Sequence, residues 1–152
     1  ETERGMAEPR PGSSMRGPIR ELGKFYEMLM RGGTTPEGKK ILLRQTVKAI
    51  TARHRGGLFD KSFHHIIDFG LGFVCQSNQY GVDTVPYGYG PHASRRTFGH
   101  SGSRSSIGYC DPEHQLVVAC VFNGAPSEAD HDKRMRELNA AIYEELGLRT
   151  ED

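Results

Sequence analysis

Two β-type runs joined by a proline turn constrain this chain more than anything else in it. They are Ser105–Cys110 and Leu116–Phe122, separated by Asp111-Pro112-Glu113-His114. Proline presets one backbone angle of a turn, and an aspartate side chain accepts from amides just beyond it, so the flanking runs are expected to pair as a hairpin. Leu116–Phe122 is apolar without alternation. That pattern predicts a strand covered on both faces, with helices above and below the sheet. Just upstream, Thr97–Ser101 reads as a further strand. Phe98-Gly99-His100-Ser101-Gly102-Ser103 thus sets a histidine, two hydroxyls and glycines side by side on extended backbone.

The rest of the chain supplies the covering helices. Pro18 stands at a first-turn position, and Ile19, Leu22, Phe25, Tyr26, Leu29 and Met30 follow at helical spacing up to Gly32-Gly33. A shorter helix is expected over 43–52, with Leu43, Val47 and Ile50 on one face. Alternate apolar residues predict a strand over Phe69–Cys75. Residues 76–96, rich in glycine and proline, read as a long surface excursion of the kind that borders a site. Ser127 with Asp130 forms a capping-box-like start to a last helix whose stripe is Met135, Leu138, Ile142 and Leu146. The expected class is α+β, an antiparallel sheet flanked by helices. Residues 1–17 read as an extended lead-in, 18–148 as one domain and 149–152 as a tail.

Composition excludes several roles. A net charge of +1 on 152 residues, with Lys and Arg scattered along the sequence, gives no case for nucleic acid as a partner. No apolar run approaches the roughly 18–20 residues of a membrane helix, and no signal peptide is visible. Cys75, Cys110 and Cys120 are odd in number and lie in apolar segments, so they read as core residues. Unpaired cysteines favour a reducing, cytoplasmic-type compartment. His64-His65 diverge on either a helix or a strand, and the other histidines lack partners at ligand spacing, so neither a metal nor a cofactor is indicated.

The segment Phe98-Gly99-His100-Ser101-Gly102, running on through Gly108-Tyr109-Cys110-Asp111-Pro112-Glu113, resembles a pattern of the penicillin-recognising serine hydrolases. In class C β-lactamases and their esterase and D-aminopeptidase relatives it is FGHxG, a glycine–aromatic pair and a DPE turn. Further segments agree in order. Gly12-Ser13-Ser14 looks like the family's small-residue lead-in and Met28–Gly33 like its MLLxGG ending. Gly38–Leu42 resembles its GKRLL segment, Gly70–Phe73 its GLGW/F strand, and Val118–Asn123 its final strand. The resemblance covers most of residues 12–148 and implies a partial β-lactamase/transpeptidase-like fold.

It also implies roles. His100 would supply positive charge or a proton near the nucleophile, and the Ser103 N–H would be half of the oxyanion hole. Both are the candidate catalytic residues. Ser101 would offer a hydroxyl to a substrate carboxylate or carbonyl, and Gly102 would let substrate lie against the strand edge. The implied partner is a small-molecule ester or amide. The chain departs from the family at its nucleophile: no lysine has a serine three residues before it, and no tyrosine is followed two residues later by Asn or Ser. The expectation is a C-terminal part of such a domain, inactive alone and requiring the missing N-terminal part. A non-catalytic binding or scaffold protein on the same fold is the competing expectation.

Overall fold

The computed structural model describes residues 16–102 and 104–148. In chain order they form α1 (Ile19–Met30), α2 (Arg44–Thr51), β1 (Phe59–Asp60), β2 (His65–Ile66), β3 (Val74–Cys75), β4 (Phe98–Gly102), β5 (Ser106–Asp111), β6 (Leu116–Val121) and α3 (Glu128–Glu145). β1 and β2 make a small hairpin of their own. The other four strands form one antiparallel sheet in the order β3-β4-β5-β6.

The expected hairpin is present. Tyr109 faces Val118 and Asp111 faces Leu116 across it. Asp111 is fully buried and holds the turn by accepting from the Glu113 amide at 3.2 Å and the His114 amide at 3.4 Å. Side chains of β5 alternate between faces. Ile107 and Tyr109 join Val118, Met135 and Tyr143 in a core beneath α3. Cys110 joins Tyr26, Leu29, Phe73 and Phe98 in a second core beneath α1. Gly108 lies directly under α1, where an added Cβ would stand 2.5 Å from the Tyr26 ring, so the glycine lets helix and strand approach closely. Each fully buried Leu- or Ile-sized side chain in these layers contributes roughly 1.5–3 kcal/mol.

Helix ends follow local chemistry. The Ser127 hydroxyl accepts from the Asp130 amide at 3.1 Å, as its spacing predicts. The buried stripe of α3 is His131, Met135, Asn139 and Tyr143, with Leu138 and Ile142 at its margin and Leu146 exposed. Two of its polar members are paired within the core: Tyr143 donates to Asp111 at 2.8 Å, and Asn139 accepts from Tyr109 at 3.3 Å.

Three expectations change. Phe69–Cys75 is not one strand: Phe69 bridges Val74 across a tight turn, and the Gly70 amide donates to the Phe73 carbonyl at 2.8 Å. Gly70 sits against the end of α2, where a Cβ would fall 2.7 Å from the Ile50 carbonyl oxygen. Residues 76–96 are not a surface excursion. Val85, Tyr89 and Ala93 are core residues, and the Tyr89 hydroxyl donates to the Val74 carbonyl at 2.9 Å. Finally, β6 is not covered along its length. Only Val118 is buried and Val121 is 55% exposed, because β6 is the last strand of the described sheet.

Candidate active site

The site is built on the free edge of β4. β5 pairs with all five residues of β4, but β3 pairs only with Phe98 and Gly99. The turn at Gly70–Phe73 bends the chain away before β3 reaches His100. From His100 to Gly102 one edge of β4 therefore has no strand partner among the described residues. Free backbone donors and acceptors on an open edge are what an extended or planar ligand group pairs with.

His100 and Ser101 point to opposite faces, paired across the sheet with Gly108 and Ile107. His100 is exposed, and its Nδ1 lies 2.7 Å from the Ser101 carbonyl oxygen. A carbonyl only accepts, so Nδ1 carries the hydrogen and Nε2 is left as the position open to a ligand or proton. The Ser101 hydroxyl oxygen is buried and has no hydrogen-bond partner among the described residues. Gly102 faces Ser106, and a Cβ there would collide with the Ser106 hydroxyl. The crowding at Gly102 thus comes from the neighbouring strand. Ser103 lies outside the described residues.

Two further residues support this wall, and only one of them had a sequence signal. Tyr26, visible in the sequence as part of the α1 stripe, is buried under the sheet. Burial raises its hydroxyl far above the ordinary phenol range, and the adjacent His100 backbone opposes that rise. Arg134 had no signal. Its guanidinium donates to the Arg104 carbonyl at 3.2 Å, where Arg104 has a left-handed φ of 56°, and to His131 Nδ1 at 3.1 Å. It also stacks 4.0 Å over the Phe122 ring, so α3 ties down the turn between β4 and β5.

The arrangement can hold a carbonyl or carboxylate through the free backbone groups of the β4 edge, and can exchange a proton through His100. Among the described residues no nucleophile is activated: no serine hydroxyl is hydrogen-bonded to a lysine or histidine side chain, and burial pushes the Cys110 thiol up to about 12. Burial raises Cys75 as well. No group of three or more His, Cys, Asp or Glu among the described residues could hold a metal ion. No described helix is long and apolar enough to cross a membrane.

An antiparallel sheet packed between helices agrees with what the comparisons with known proteins find. The Beta-lactamase family model matches residues 1–142, and the chain belongs to that family. Its fold is similar to a penicillin-binding-protein homolog from Caulobacter crescentus, with TM-score 0.61 and 28% identity over 81% of this chain and 30% of that one. It is also similar to a β-lactamase from Mycobacterium bovis, with TM-score 0.59 and 22% identity over 80% of this chain and 41% of that one. The chain thus spans well under half the length of either structure. A comparison with curated proteins finds no match.

Proposed function

We propose that this chain forms the β4 wall of a serine hydrolase site that cleaves an ester or amide of a small molecule through a serine acyl-enzyme. The observation that carries the reading is the strand edge His100–Gly102, unpaired on one side within a chain of this family. In this reading the Ser103 N–H stabilises the developing oxyanion, His100 delivers charge or a proton, and Ser101 and Gly102 seat the substrate. Histidine where many relatives carry lysine tilts the activity toward esters or peptides over β-lactams. The serine and its lysine partner would come from residues beyond this sequence, which leaves the 152 residues alone without acyl-transfer activity. The domain of residues 18–148 would then be one part of a single catalytic domain.

A second reading, a binding or scaffold protein with the pocket kept and the nucleophile lost, is favoured by the lack of any Ser-x-x-Lys here. The coding region upstream of Glu1 decides between them. In-frame Ser-x-x-Lys followed by Tyr-x-Asn or Tyr-x-Ser is expected, with fluorophosphonate labelling of that protein lost on replacing the serine. With the serine intact, His100→Ala is expected to slow acylation 10²–10⁴-fold, the usual range for a proton-transfer residue. Absence of the motifs, or labelling that survives serine replacement, would overturn the enzyme reading.

A further inference from the structure

A cleft at the other end of β4 from Gly102 gathers cations that are far apart in sequence. It encloses about 370 Å³ between the C-terminal end of α2 and the start of β4. Lys48, Arg53, Arg95 and Arg96 line it over an apolar floor that includes Phe98 and Pro112, and no carboxylate is among the lining residues. An adjoining hollow of about 330 Å³ shares Lys48 and Arg96 and adds Arg44.

One of these cations is already committed. The Arg53 Nε lies 2.9 Å from Asp68 Oδ2, and Arg53 also donates to the Gln76 and Arg95 carbonyls at 2.9 and 3.0 Å. That fixes its planar fork at the cleft wall. Asp68 is itself buried and also accepts from the Gly57 amide and the Gln79 side chain, so it offers nothing to the other cations. Lys48, Arg44, Arg95 and Arg96 have no carboxylate partner among the described residues. Like charges crowded around one opening repel each other, and in a chain of net charge +1 they concentrate a local positive field.

We propose that this cleft binds a small, multiply charged phosphate anion. A phosphate carries up to about two negative charges in a compact tetrahedron. Guanidinium forks pair with it in bidentate fashion. The volume suits a small molecule and is too small for a folded element. A polycarboxylate of equal charge presents only two acceptor oxygens per charged group, against three on a terminal phosphoryl group, and satisfies several guanidinium forks less well. The proposal stands independently of the hydrolase reading, because it uses none of the residues from His100 to Ser103.

The test is calorimetric titration of the chain with inorganic tripolyphosphate, with citrate in a parallel arm and circular dichroism to verify folding. One saturable site is expected, weakening as salt rises from 50 to 300 mM because the contacts are electrostatic. Lys48→Glu, an exposed and unpaired position, is expected to weaken binding at least tenfold, and Arg95→Glu with Arg96→Glu more. If the double variant fails to fold, Lys48→Glu and the neutral Lys48→Gln decide alone. No saturable binding, binding unchanged by Lys48→Glu, or citrate binding as tightly as tripolyphosphate would overturn the proposal.

Discussion

Asp111 shows how a single residue can fix two parts of the molecule. Its carboxylate accepts from the Ser94 amide at 2.9 Å, the Ser94 hydroxyl at 2.6 Å and the Tyr143 hydroxyl at 2.8 Å, besides the turn amides. Burial alone would raise its pKa, but these hydrogen bonds outweigh it and hold the carboxyl below the ordinary range. A depressed carboxylate contributes stability above its unfolded pKa of about 3.9, and that contribution is lost as pH falls through the lower folded value. Asp111→Ala leaves the buried Ser94 and Tyr143 hydroxyls without their acceptor, at about 1–3 kcal/mol for each orphaned group. A loss of roughly 2–6 kcal/mol in urea unfolding at neutral pH is expected. A loss below about 1 kcal/mol would mean that water replaces the carboxylate.

At the scale of elements, α3 is the strut that holds the site's turn. His131, fully buried in its first turns, accepts from Arg134 through Nδ1. Burial and then the Arg134 charge lower its pKa, while Asp132 and Glu128 pull the other way. The Tyr87 ring packs edge-on at 6.2 Å. Protonation would set an N–H against the Arg134 guanidinium and release its hold on the Arg104 carbonyl. The sign follows: a histidine with a lowered folded pKa gives full stability above its unfolded value of about 6.5, and stability declines as pH falls below that. Thermal melts from pH 8 to 5 should show this decline, and His131→Gln should flatten it. An unchanged slope in the variant would assign the decline to other groups.

At the scale of the whole molecule, the sheet ends on an open strand. β6 pairs only with β5 among the described residues, and it presents Val121 at its exposed end. An unpaired apolar edge is a template for another strand, so the 152-residue chain is expected to self-associate as concentration rises. Val121→Lys places a charge at an exposed position of that strand. It should lower the association seen by light scattering severalfold, and scattering equal to wild type would point to a different surface.

What the amino acids determined unaided were features whose causes lie within a few residues. The Asp-Pro turn with its flanking strands, the Ser127 cap and the Pro18 and Gly32-Gly33 limits of α1 all depend on local backbone preferences and neighbouring side chains. The motif order through Phe98–Glu113 carried the family in the same way. Local reading went astray where distant contacts overrode it. Gly70–Phe73 turns because the end of α2 leaves no room for a strand there, and the middle of residues 76–96 enters the core because Tyr89 packs against Tyr109. Tertiary packing alone decided that β3 stops short of His100, that Arg134 reaches Arg104, and that cations from α2 and the approach to β4 share one cleft. Such meetings depend on which faces the chain must bury together, and spacing along the sequence does not encode that.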